Sequence, residues 1–137
     1  MKIRNIAYFA TTAQLTIASL GSGVANLLRV DHIAHDMMRL GYPSYFMTVL
    51  GVWKVLGAVV IAAPGLPRLK EWAYAGIIFD LTGAAASRAA THDGAVTVLI
   101  PLLLALAALV SWRLRPPSRT LQGALDEFNS RRRPEVA

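Results

Sequence analysis

Apolar positions gather into four long runs, over about residues 6–28, 45–63, 72–87 and 96–112, separated by short polar connections. The runs are rich in leucine and alanine and lack the strict polar/apolar alternation of a membrane-barrel strand, so they read as helices. A bilayer core about 30 Å thick takes roughly 20 helical residues, with about 17 as the lower limit. The third run is the short one, and it holds Asp80. The pattern predicts an all-α fold, a bundle of four transmembrane helices formed by residues 1–115, followed by a polar, basic tail over 116–137.

The connections punctuate the runs. Gly41-Tyr42-Pro43-Ser44 precedes the second helix, and Pro64-Gly65-Leu66-Pro67 leaves room only for a turn before the third. His92-Asp93-Gly94 parts the third and fourth, and Pro116-Pro117 ends the last because proline cannot continue the backbone ladder. In the tail, Leu121, Leu125 and Phe128 allow a short amphipathic helix; disorder is the alternative. A cleaved signal peptide competes for the first run, with its basic start and small residues at Ser19, Gly21, Ser22 and Gly23. The run stays apolar from Val24 to Val30, which is long for a cleaved signal, and it is read as helix one.

Charge adds orientation. Lys2, Arg4, Arg68, Lys70, Arg113, Arg115, Arg119, Arg131, Arg132 and Arg133 flank one side of the predicted spans, against Arg29, Arg39 and Arg88 on the other. The positive-inside rule then puts both termini in the cytoplasm. In a soluble protein a formal net charge of +6 would suggest nucleic acid. Here only 16% of residues are charged, mean hydropathy is +0.45, and most of the charge flanks apolar spans, which removes nucleic acid as a partner and leaves the lipid bilayer. Tyr8, Tyr45, Trp72, Tyr74 and Trp112 lie near the predicted interfaces, where amphipathic rings belong. The chain has no cysteine, so thiol redox chemistry, disulfides and cysteine metal sites are excluded.

Ionisable groups inside spans are costly and therefore informative. Lys54 and Asp80 lie near the middle of the second and third spans, on antiparallel neighbours across a very short hairpin. They should reach one depth and form an ion pair or share a hydrogen-bond network. Gly51, Gly57 and Ala58 around the lysine, and Gly76, Gly83, Ala84 and Ser87 around the aspartate, predict close backbone approach of those two helices. Gln14, with Thr11, Thr12 and Thr16 about it, is placed to complete a polar core. Such a core can be structural glue, or a site where Asp80 accepts a proton or cation and Lys54 tunes it. Asn26, Arg29, Arg88, His92 and Asp93 gather at the non-cytoplasmic end, where Arg88, two turns beyond Asp80, could line a mouth to the pair; ordinary interfacial charge is the alternative. In the first loop, His32 and His35 are spaced to share a helix face and hold a metal, although a closed site needs more ligands. A helix lying on the membrane surface with Ile33, Met37 and Leu40 inward accounts for the same residues.

The stretch Leu50-Gly51-Val52-Trp53-Lys54-Val55-Leu56-Gly57-Ala58, with Pro64, Pro67 and then Leu69-Lys70-Glu71-Trp72-Ala73-Tyr74-Ala75-Gly76, resembles the DoxX-like family of small four-helix membrane proteins. Leu40-Gly41-Tyr42-Pro43, Gly83-Ala84 and Asp93-Gly94 continue the resemblance, which covers about residues 6–115. Arg88 stands where relatives often carry histidine, Lys54 matches the family's lysine, and Glu71 matches at the cytoplasmic interface, where it suits the start of helix three. The resemblance implies a bacterial cytoplasmic membrane and a quinone as the cofactor to consider; no cofactor is evident from the residues themselves. It also implies a non-catalytic subunit or scaffold of a quinone-linked or redox-stress system, with a membrane-protein partner or a homo-oligomer. Two further readings stand beside it: a membrane-embedded enzyme or binder for a small lipophilic molecule using Lys54, Asp80, Gln14 and Arg88, and a small proton-coupled transporter.

Overall fold

A computed structural model describes residues 2–132 and, among them, contains helices and no strand. α1 runs Lys2–Leu27, α2 Asp31–Arg39, α3 Ser44–Ala62, α4 Pro67–Ala90 and α5 Ala95–Leu114; a 3-10 turn, Pro117–Arg119, leads into α6, Leu121–Arg132. The first loop is thus a helix of nine residues, and the part of the tail up to Arg132 is helical and not disordered.

Two of the long helices, α3 and α5, are long and apolar enough to cross a membrane by composition. α1 and α4 are longer still, but Gln14 and several hydroxyls dilute the first, while Arg68, Lys70, Glu71, Asp80 and Arg88 dilute the second. α4 extends well past the short apolar run at both ends because its terminal charges find partners there, described below.

α1 packs along α3 and α5, and α4 packs along the same two, so α1 and α4 lie on a diagonal. The interior is narrow. Leu15, Ile61, Tyr74, Ile77 and Ala108 form its core cluster, and many other buried positions are small or polar: Thr12, Gly23, Gly51, Ala58, Ala85, Ala105 and Ser111. Large apolar side chains face outward instead; Trp53 is 68% exposed and Phe79 75%. That distribution would leave a soluble bundle with a continuous apolar surface, and it suits a surface bathed in lipid. Trp72 and Tyr45 face outward as interfacial rings should, whereas Tyr8 and Tyr74, expected beside them, are buried in the bundle.

The closest helix approach is between α1 and α3. A Cβ at Gly51 would lie 2.7 Å from Leu27 Cγ and 2.9 Å from the Gly23 carbonyl oxygen; one at Gly23 would lie 2.9 Å from Lys54 Cβ. The expected glycine contact between α3 and α4 is therefore not the one that forms. Gly57 reaches only ordinary contact with Ile77, at 3.8 Å, and Gly76 and Gly83 face open space.

The α3–α4 turn has two consecutive left-handed residues, Gly65 at φ +69° and Leu66 at φ +55°. Glycine adopts this region freely, and Pro67 then starts α4 where its missing N–H removes nothing. Lys70, one turn into α4, is fully buried and donates from Nζ to the carbonyls of Val60, Ile61 and Ala63 at 2.7, 2.8 and 2.5 Å. It thereby satisfies the free carbonyls at the end of α3 with a charge that suits the negative end of the helix. Pro101 sits inside α5, removing one ladder bond in a helix that its neighbours hold in place.

Candidate functional site

Lys54 Nζ lies 3.2 Å from Asp80 Oδ2. α3 supplies the lysine and α4 the aspartate, and the tight turn between them sets both at matching depth. Gly23 of α1 makes room for the lysine stem, since any side chain there would press on Lys54 Cβ. The two side chains keep 20% and 23% of their surface exposed, so the pair is enclosed but not sealed. The two side chains attract one another at this distance, and a bound group that displaced either would have to replace its partner.

Gln14 does not join them. It is exposed on α1, while Thr12 and Leu15 on either side of it turn inward. The polar core that does form lies nearer the chain termini: the Ser111 hydroxyl lies 2.8 Å from Thr12 Oγ1 and 2.8 Å from the Tyr74 hydroxyl. It ties α1, α4 and α5 together. Sequence spacing missed it because Thr12 and Ser111 stand 99 residues apart, and only the ring order of the helices sets them side by side.

Arg88 turns away from Asp80 and enters a ring of alternating charges at the opposite end of the bundle. Arg39 donates to Asp93 through Nη1 and Nη2, at 2.6 and 2.9 Å, and from Nη2 to Asp36 at 2.8 Å. Arg88 donates from Nη1 to Asp93 at 3.0 Å and from Nη2 to Asp36. The ring fastens α2 to the end of α4 and the α4–α5 loop, with Thr91 Oγ1 supporting Asp93 at 3.3 Å. The hydrogen bond from Arg39, with Arg88 beside it, pulls the Asp93 carboxyl down to about 2. The same two arginines lower Asp36, Arg39 foremost, and Arg39 itself is raised, by Asp93 first and Asp36 second. Tyr42 after α2 stacks on Phe46, and its hydroxyl lies 2.5 Å from Ser87 Oγ. Of the other residues expected at this end, Arg29 and His92 are exposed at turns with positive φ, and Asn26 is buried with its Oδ1 unpaired among the described residues.

His32 and His35 are both exposed on α2, and among the described residues no third histidine, aspartate or glutamate joins them in a metal-binding group.

At the end carrying the termini, Glu71 accepts from Arg115 Nη2 at 2.5 Å and from Trp112 Nε1 at 2.7 Å, so it joins α4 to α5 as well as standing at the start of α4. The Arg115 guanidinium lies 5.2 Å from the Tyr74 ring centroid and 5.7 Å from that of Trp112; its Nη1 finds no oxygen and rests among these aromatic rings.

A family model described as the DoxX-like family matches residues 10–111. Nothing matches among curated proteins or among solved structures.

Proposed function

The chain belongs to the DoxX-like family, and we propose that it acts as a non-catalytic subunit or scaffold of a quinone-linked or redox-stress system in a bacterial cytoplasmic membrane. The family and the two apolar helices make it a membrane protein. In this reading α1, α3, α4 and α5 all span, with both termini in the cytoplasm. The outward-facing Ile17 on α1, Trp53 on α3, Phe79 on α4 and Leu103 on α5 support four lipid-facing helices, and the excess of lysine and arginine at the terminal end supports the orientation.

The observation that carries the subunit reading is that the acid and base groups within the bundle are already engaged, Lys70 by backbone carbonyls and the others by one another. Lys54 pairs with Asp80, Arg115 with Glu71, and Arg88 with Asp36 and Asp93. Among the described residues no unpaired nucleophile or base stands beside an acceptor to begin a reaction. Native purification in mild detergent, with mass spectrometry of what stays bound, tests this. A stoichiometric protein partner is expected; a chain that purifies alone with full stability in its membrane contradicts the subunit role. Because the chain has no cysteine, single cysteines at Pro64 and Gly94 test the topology separately. In oriented membranes the label should reach Gly94→Cys from outside and Pro64→Cys only from inside.

The residual exposure of Lys54 and Asp80, about one-fifth of each side chain, supports a second reading as a binder of a small lipophilic molecule such as a quinone. A quinone retained by the protein and lost in Asp80→Asn would favour it over the scaffold.

A further inference from the structure

Arg119 occupies the 3-10 turn after α5 in a place fixed by aromatic rings. Its guanidinium carbon lies 5.8 Å from the centroids of both Tyr8 and Phe9, and Nη1 donates to the Tyr8 hydroxyl at 3.2 Å. Among the described residues it meets no carboxylate, since Glu71 is engaged by Arg115 and Trp112. Among the described residues its Nη2 and Nε donors meet no hydrogen-bond acceptor, Nη1 alone being engaged. Beside it a groove of about 310 Å³ follows α1 past the end of α3, walled by Phe9, Ala13, Thr16, Ile17 and Ala62, with Arg119 also lining it. The Thr16 hydroxyl is already donated to the Thr12 carbonyl at 2.8 Å, which leaves a largely apolar wall.

We propose that this groove and Arg119 form a binding site for an anionic glycerophospholipid, with one acyl chain along α1 and the phosphate on the free guanidinium donors. The assignment rests on the four-span reading, which sets the groove against acyl chains and Arg119 at headgroup level on the basic side. Charge selects an anionic lipid over a zwitterionic one: Lys70, Arg115 and Arg119 stand at this end and, among the described residues, Glu71 is the carboxylate paired there. Guanidinium geometry suits phosphate, which accepts two parallel N–H bonds. Neither feature alone would suffice. The apolar groove by itself takes any acyl chain, and the arginine by itself takes any anion.

The test uses the full chain in nanodiscs of phosphatidylcholine with or without phosphatidylglycerol, read by melting temperature and by native mass spectrometry of retained lipid. Phosphatidylglycerol should be retained and should raise the melting temperature. Arg119→Gln should weaken retention about tenfold, the effect of losing a charge-assisted hydrogen bond, and Arg119→Lys should restore part of it. Ala13→Phe fills the groove from an exposed position while leaving the arginine itself in place, and should weaken retention as well; it carries the test if Arg119→Gln fails to fold. Equal retention in wild type and both variants overturns the site, as does equal stabilisation by inorganic phosphate alone. Cysteine labelling at Pro64 and Gly94 judges the four-span reading independently, so correct labelling with unchanged lipid retention rejects this site only.

Discussion

α3 meets its two neighbours by opposite means. Against α1 it comes close enough that Gly23 and Gly51 pack backbone on backbone, with no space for a methyl group on either. Against α4, to which it is joined by a loop of only a few residues, it makes the least extensive contact of the four neighbouring pairs, and a lysine and an aspartate bridge the gap. Nearness along the chain thus does not decide tightness. Small side chains do, because in lipid van der Waals fit between helices replaces the hydrophobic drive. Where fit is poorer, a long charged pair spans the distance and supplies direction and register.

The largest test of this contrast is Lys54→Met, which leaves Asp80 without its countercharge. A loss of about 3 kcal/mol is expected, at the low end for an unpaired buried charge because the pair is partly exposed. Adding Asp80→Leu should recover most of it, as tryptophan fluorescence during unfolding in detergent would show. A double variant as unstable as the single one would mean that the pair does more than hold two helices together. On the α1 side, Gly51→Ala drives a Cβ into Leu27 and the Gly23 carbonyl and should cost about 1–3 kcal/mol by overpacking, read as a lower melting temperature by circular dichroism. On the outer face of α4, Gly76→Ala and Gly83→Ala meet open space and should gain up to about 1 kcal/mol each from helix propensity alone. If instead they lose stability in native membranes, or lose a co-purifying protein, that face is covered by a partner. The smallest effect concerns the charged ring that fastens α2. The carboxyls of Asp93 and Asp36 titrate below their unfolded value of about 3.9, so their contribution is complete above that pH and is lost as pH falls towards 2. Amide hydrogen exchange in α2 should be insensitive to this ring between pH 5 and 8 beyond its intrinsic pH dependence, and should lose protection only below about pH 4.

What sequence could supply follows the same division. The Lys54–Asp80 pair was legible because a short hairpin converts position along the chain into depth. The α1–α3 glycine contact was not, since Gly51 has several candidate neighbours until the ring order of helices is known. Gln14 was misplaced by helical phase: Thr12 and Leu15 define the inward face, and Gln14 lies off it. Arg39 was assigned only to the loop because α2 must fold back over the bundle before its guanidinium can meet Asp93. For the same reason Arg88 was aimed down at Asp80, although two carboxylates at its own end of the bundle, Asp36 and Asp93, take its guanidinium instead. The helices themselves, read from apolar runs and proline punctuation, required no such long-range knowledge.

The clasp that Lys70 forms on the end of α3 has a consequence for the order of assembly. Its acceptors lie only seven to ten residues away in sequence, so the bond closes without any help from α1 or α5. Lys54 and Asp80 belong to the same two helices. The α3–α4 hairpin therefore holds within itself the partners of Lys54, Asp80 and Lys70, and it can form as one unit before α1 and α5 pack on it. The rest of the chain then supplies what the pair still lacks, Arg115 for Glu71 and Asp36 with Asp93 for Arg88, and α1, which leaves the ribosome first, waits for the partner whose glycine it matches.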